Sequence, residues 1–286
     1  MNTFKKTTLA LAISALAGGA LAQSAPAPAP APEPEKSPIT ANVTVVSDYR
    51  YRGISQSNFK PAIQGGFDYA HESGFYIGNW NSSISWISDA YSPGGSLNAN
   101  GSAQNSVSAP IEMDFYAGFK KELIAPGFAS DIGVLQYYYP TSGLPNGAVN
   151  PNTTEVYVAQ NFTFGPVTGF AKFSYSLTNT FGNLNSKGSY YPDLTINYDT
   201  GVWGISANAH VGYQYIAGSG AYAPNTSNST YYTYTDWKAG LTKDFGGGLS
   251  GSVAYVGTNA NGAGYFNPQG KNLGRSAAIV SLTKTF

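Results

Sequence analysis

From residue 39 to the end of the chain, apolar and polar positions alternate with a period of two. Ile39, Ala41, Val43, Val45, Tyr49 and Tyr51 share one side of the first run, while Thr40, Asn42, Thr44, Asp48, Arg50 and Arg52 share the other. Successive strand side chains point to opposite faces, so the run reads as a strand with one oily and one wet surface. Ile111, Met113, Phe115, Ala117 and Phe119 alternate in the same way with Glu112, Asp114, Tyr116 and Lys120. Ile205, Ala207, Ala209, Val211 and Tyr213 alternate with Ser206, Asn208, His210 and Gln214. Twelve such runs are predicted, at 39–51, 62–70, 75–86, 110–120, 128–139, 153–164, 167–176, 189–198, 203–214, 232–243, 249–258 and 275–286. Most have the roughly 9–11 residues that a tilted strand needs to cross a bilayer. In the third and fifth runs both faces carry aromatics, which leaves their parity open. No stretch sustains a helical period.

The connections sort themselves by length. Those at 71–74, 121–127, 165–166, 199–202 and 244–248 are short, and most hold the Gly, Pro or Asp of tight turns. Those at 52–61, 87–109, 140–152, 177–188, 215–231 and 259–274 are longer and rich in Asn, Gly, Ser and Pro. Strict short–long alternation with an even strand number predicts an all-β fold, a 12-stranded up-and-down antiparallel transmembrane β-barrel over residues 39–286. On the faces assigned to lipid, charge falls only near strand ends, at Lys243 and Lys284. Tyr49, Tyr51, Tyr69, Phe164, Tyr190, Tyr198 and Tyr213 also sit near ends, as aromatic girdles do.

Composition fits a wall with two unlike faces. Charged residues make up 10% of the chain and aromatics 14%, with 22 tyrosines and 34 glycines. The mean hydropathy of −0.19 hides the oily face, because the wet face averages it away. Ahead of the barrel, residues 1–22 read as a cleaved secretory signal: Lys5 and Lys6, then an apolar core, then Ala20, Leu21 and Ala22. Residues 23–38 form a Pro/Ala-rich spacer with six of the 17 prolines, expected to be extended polyproline II in the periplasm. Loss of the two leader lysines leaves 13 basic against 15 acidic residues, which gives no nucleic-acid footprint. With no cysteine, thiol chemistry and disulfides are excluded in an exported chain. The chain ends at Phe286, with Leu282 and Val280 on the same face. A terminal aromatic after alternating apolar residues is similar to the signal read by the outer-membrane assembly machinery, although Lys284 departs from the usual apolar residue.

Residues 47–80, SDYRYRGISQSNFKPAIQGGFDYAHESGFYIGNW, resemble the TorF family of putative porins, an uncharacterised proteobacterial outer-membrane group. TEVYV at 154–158, HVGYQ at 210–214, YTDWKAGLTKDF at 234–245 and SLTKTF at the end carry the same resemblance. It spans nearly the whole barrel, and RGISQS at 52–57 is its most specific motif. The resemblance implies an outer-membrane barrel with porin activity and names no solute.

By parity the lumen receives Asp48, Arg50, Arg52, Asp68, Glu112, Asp114, Lys120, Glu155, Lys172, Asp193, His210, Asp236 and Lys238, with Asp131 less securely placed. Opposed basic and acidic groups across a passage would orient small polar solutes and set ion preference. The same charges could instead pair and block a lumen of only twelve strands. The loop at 87–109 could fold inward as a constriction or stay outside. A barrel hydrolase is a competing class: His210 faces inward between strands that carry Asp193 and Asp236, but no hydrolase motif accompanies it. A closed barrel whose loops bind a partner is a third. No cofactor signature or metal cluster is found. The expected partners are outer-membrane lipids, the assembly machinery and small polar solutes, and the favoured reading is a channel for passive diffusion.

Overall fold

The computed structural model describes residues 37–91 and 107–286. In chain order the strands are β1 (Ile39–Val46), β2 (Arg50–Tyr51), β3 (Ile54–Ser55), β4 (Ala62–Ala70), β5 (Phe75–Ser83), β6 (Ile111–Ala125) and β7 (Phe128–Tyr138). They continue with β8 (Thr153–Phe164), β9 (Val167–Ser176), β10 (Tyr190–Asp199), β11 (Ile205–Gln214), β12 (Tyr234–Gly246), β13 (Leu249–Thr258) and β14 (Ala277–Thr285). Twelve of them pair antiparallel with their chain neighbours, and β1 closes the cylinder by pairing with both β14 and β4. The pair β2–β3 forms a small separate hairpin. Closure removes the edges of the twelve-stranded sheet, so its ladder donors and acceptors are satisfied within the wall.

Alternation decides which side faces out. In β1, Thr44 is buried while Val43 and Val45 are exposed, and β14 likewise exposes Val280 and Leu282 and buries Ile279. Ile63, Phe67, Ile77, Phe115, Ile132, Val158, Leu241 and Val253 continue this outward apolar surface around the cylinder. Soluble monomers do not carry continuous apolar surface of this extent. The parity of the two ambiguous strands is settled: Tyr76, Gly78, Trp80 and Ser82 of β5 point inward, as do Asp131, Gly133, Leu135 and Tyr137 of β7. Lys243 and Lys284 bend to turn carbonyls, those of Trp203 and Gly247, where a long stem can keep its charge at the rim. The backbone amide of Phe286 donates to Ala41 and stitches the last residue to β1.

Three sequence expectations are corrected. The first run stops as a wall strand at Val46, because Ser47 makes the last ladder contact, with Val280, and the chain then turns into the lumen. Tyr49 and Tyr51 are therefore not girdle residues; Tyr49 is 4% exposed and both hydroxyls bond to lumen groups. The turn placed at 121–127 is mostly strand, since β6 runs to Ala125 and pairs with β7 up to a bulge, leaving Pro126 and Gly127 at the bend. The long connections also carry three short helices, α1 (Trp86–Tyr91), α2 (Asn228–Tyr232) and α3 (Gly262–Tyr265). The predicted leader 1–22, nearly all of the spacer 23–38 and most of the loop 87–109 lie outside the described residues.

The hydrophobic core lies inside the cylinder, at its long-loop end. Tyr49, Trp80, Ile84, Ile87, Val107, Ala109, Tyr137 and Tyr139 pack there, with Tyr49 edge-on to Trp80 at 5.4 Å between centroids. The inward-turned segment 47–61 and α1 thus share one small core, held by the surrounding wall.

Candidate functional site: the lumen and the segment folded into it

Segment 47–61 is built around a two-residue hairpin turn. Arg52 and Gly53, between β2 and β3, both have positive φ, 45° and 77°. Two central residues with positive φ match the right-handed strand twist, which normally calls for Asn-Gly or Asp-Gly and here uses Arg-Gly. A Cβ on Gly53 would lie 2.4 Å from Thr258 Cγ2 and 2.8 Å from Asp236 Cβ, so the missing side chain lets the hairpin tip touch β12 and β13.

The segment is tied to the wall in several directions. Tyr49 donates to Glu112 of β6 at 2.6 Å, and the hydroxyls of Tyr51 and Tyr137 of β7 share a hydrogen bond. Arg52 pairs with Glu155 of β8 at 2.7 Å, donates to Gln214 of β11, and lies 4.1 Å above the ring of Tyr191 of β10. Arg50 pairs with Asp48 at 2.6 Å and donates to the carbonyls of Gly53 and Arg275. Asp48 also accepts from Ser55 and Ser57. The two arginines therefore do not face the acids across an open passage: they sit on the inward segment, and each is neutralised within it or against one wall carboxylate. Side chains that the pattern assigned to the wall are carried by a piece of chain that crosses the bore.

Three of the remaining lumen carboxylates follow a common rule. Asp68 accepts from the hydroxyl of Tyr116 at 2.6 Å, Asp131 from Tyr76 at 2.7 Å, and Asp236 from Tyr191 at 2.8 Å. Each tyrosine lies flat over an inward glycine. A Cβ on Gly78 would meet the Tyr116 ring at 2.4 Å, on Gly118 the Tyr76 hydroxyl at 2.2 Å, and on Gly212 the Tyr191 hydroxyl at 2.0 Å. Tyr157, whose hydroxyl also bonds Tyr76, covers Gly133 in the same way. Sequence reading missed these tyrosines as site residues. The signal was there: an inward glycine on one strand opposite an inward tyrosine on the next, as in Gly78↔Tyr116, Tyr76↔Gly118 and Gly133↔Tyr157.

The basic wall residues are interleaved with these acids. Lys172 stands opposite Asp193 in register and 4.7 Å from the centroid of Tyr157. Lys120 donates to Asn161, and Lys238 stands opposite His210. His210 Nε2 is 3.0 Å from Asp236 and 2.9 Å from the Tyr191 hydroxyl, while Nδ1 is 2.9 Å from Thr195 Oγ1 and 3.5 Å from Asp193. Hydroxyl, imidazole and carboxylate are thus gathered as in hydrolases, although here a hydroxyl and a carboxylate share each ring nitrogen. The surrounding amides, however, are used in the β10–β11 and β11–β12 ladders, so none is free to stabilise an oxyanion there.

The bore is asymmetric. Large inward side chains crowd β5 to β10, whereas Thr44, Asn208, Thr242, Ser252, Ala254 and Ser281 line a cavity along β11–β14 and β1. Asp48, Tyr49, Arg50 and Gly53 cover that cavity from the inward segment, and His210, Asp236 and Lys238 border it. Five predicted lumen residues, Asp48, Arg50, His210, Asp236 and Lys238, are thereby brought to one cavity. Asp68, Lys172 and Asp193 are on other parts of the inner wall, and Arg52, Glu112, Asp114 and Glu155 pack around the inward segment.

The barrel is similar to the NanC porin, with a TM-score of 0.51 at 9% identity, covering 86% of this chain and 98% of that one. The KdgM porin aligns with a TM-score of 0.49 at 8% identity, over 86% of this chain and 99% of that one. The toluene transporter TodX of Pseudomonas putida gives 0.44 at 9% identity, over 86% and 87%. At such identities the likeness to NanC concerns the fold alone. No curated protein matches the sequence. Residues 32–286 match the family described as "Bacterial protein of unknown function (Gcw_chp)", and the chain belongs to that family.

Proposed function

We propose that the protein is an outer-membrane channel for passive diffusion of small hydrophilic solutes. The observation that carries this reading is the inside-out cylinder: apolar side chains around its outside, and within it a cavity along β11–β14 and β1 whose lining includes Thr44, Asn208, Thr242, Ser252 and Ser281. A bilayer core demands a closed barrel or a helix, and no helix among the described residues is long and apolar enough to cross one. Residues 1–22 act as the export signal, 23–38 as a periplasmic tether, and Phe286, Leu282 and Val280, all exposed on the outer face, as the assembly signal. The finer assignment to the TorF group, with porin activity, rests on the 47–80 stretch and belongs to the same proposal. The lumen residues that border the cavity, Asp48, Arg50, His210, Asp236 and Lys238, set which solutes pass.

The deciding experiment is planar-bilayer recording on the refolded barrel. Stable, ohmic steps in potassium chloride are expected, and liposome swelling with small sugars should agree. One observation favours a second reading, a closed barrel that displays partner-binding loops: the multiply tied segment 47–61 occupies the mouth. Heat-modifiable, correctly folded protein that passes neither ions nor sugars would establish that reading and end the first.

A further inference from the structure

Asp114 of β6 lacks the hydrogen bond that five other inward carboxylates receive. Asp68, Glu112, Asp131, Glu155 and Asp236 each accept a hydrogen bond from a tyrosine hydroxyl. Asp114 is only 4% exposed, yet its Oδ1 has no hydrogen-bond partner. Alternation puts it on the same inner face as Glu112, roughly 6–7 Å further along the strand. Glu112 and Glu155 both act on it electrostatically. No guanidinium relieves it: Arg52 is engaged with Glu155 and Gln214, and Arg50 with Asp48 and carbonyls, its remaining Nη2 itself unpartnered.

A buried, unpartnered carboxylate oxygen among like charges is strongly unfavourable, and it is relieved either by a proton or by a partner from outside the chain. We propose that Asp114, with Glu112 beside it, binds a small hard cation of the calcium type drawn from the lumen water. Such ions take carboxylate oxygens and complete their shell with water. Among the described residues no three acidic or histidine side chains converge into a ready-made cage. The site is therefore two carboxylates on one strand, with water supplying the rest, which suits a cation that exchanges with the bore. The proposal relies on the channel reading only for the route by which the ion arrives.

Terbium is the probe, because a hard lanthanide takes the same ligands and is sensitised by nearby phenols. The Tyr49 hydroxyl, bonded to Glu112 at 2.6 Å, supplies the antenna. Refolded full-length barrel in detergent should give saturable terbium emission on tyrosine excitation, and calcium should displace it. D114N and D114S, each checked for heat-modifiable folding, should lose that emission. D131N, which alters a tyrosine-capped lumen acid, should keep it. Emission from both Asp114 variants equal to wild type, or no saturable emission from wild type, overturns the site. Bilayer recording separates the two readings. Terbium binding that depends on Asp114 in a barrel that does not conduct removes the channel and leaves the site; conductance with emission indifferent to Asp114 does the reverse.

Discussion

Arg52 shows most clearly what a single residue does in this molecule. Its guanidinium and the Glu155 carboxylate are each nearly inaccessible, 6% and 1% exposed, and meet at 2.7 Å. Removing one member of a buried pair strands the other charge, at a cost of about 3–5 kcal/mol, whereas replacing both by apolar groups of similar volume is often neutral. R52A should therefore lower the urea midpoint followed by tryptophan fluorescence far more than R52M/E155L does. Equal losses from the two would mean that the pair contributes nothing. The glycine–tyrosine pairs make a second residue-scale case. Gly212→Ala puts a methyl where the Tyr191 hydroxyl lies, and so dislodges the donor that caps Asp236. Y191F loses only the hydroxyl's contacts with Asp236 and His210, of which the hydrogen bond to the carboxylate is worth about 1.5–3 kcal/mol. G212A also forces the ring to move, so it should be at least as damaging in the same unfolding assay. A milder G212A would show that the ring has room. The charged residues were legible as inward-facing from parity alone; the tyrosines that serve them were not, because a phenol at a strand position satisfies β-propensity, girdle and lumen equally well.

Strand β1 and the hairpin after it show where element-level reading runs out. The apolar–polar alternation of Ile39 to Val45 is reversed only at Val46 and Ser47 and resumes through Arg52, because β1 and β2 are both extended, and period two reports extension rather than neighbours. What ends the wall strand is the ladder. Val46 pairs with Ala62 of β4 and Ser281 of β14, and no barrel residue pairs with the chain beyond Ser47. The same alternation correctly places β11, along which β12 runs for its full length, and β6 as far as β5 accompanies it, to Phe119. Gly53 is the residue on which the inward position depends, since it combines a φ of 77° with contacts that leave no space for a Cβ. G53A should unseat segment 47–61 without opening the barrel. The expected result is larger and noisier single-channel steps and faster proteolysis within 47–61, with heat-modifiable migration retained. Unchanged conductance in a folded G53A protein would mean that this segment does not limit the bore.

At the scale of the whole molecule, strand number, closure and the sorting of short and long connections were legible because each follows from local spacing: about ten residues per crossing, turn residues between crossings, an even number of runs. The off-centre bore was not, because it arises from which side chains happen to face each other across the cylinder. That asymmetry makes a prediction that the chain is well suited to test, since it contains no cysteine to confuse a labelling experiment. Ser252 of β13 lines the cavity, whereas Val253, one residue on, is 49% exposed on the outer face. If water and solute pass along β11–β14, a thiol at 252 is able to ionise and is accessible from the aqueous side, and the thiolate is the reactive form. S252C in bilayers should react with a charged methanethiosulfonate reagent and lose conductance in a step, because the added group enters the narrow bore. V253C, facing hydrocarbon that excludes both reagent and thiolate, should stay unmodified and conduct as before. A thiol on the crowded side, at Ser174 of β9, which is 1% exposed, should react slowly if at all. Rapid block through residue 174 with an inert residue 252 would move the passage to the opposite wall, and with it every assignment of the residues that border it.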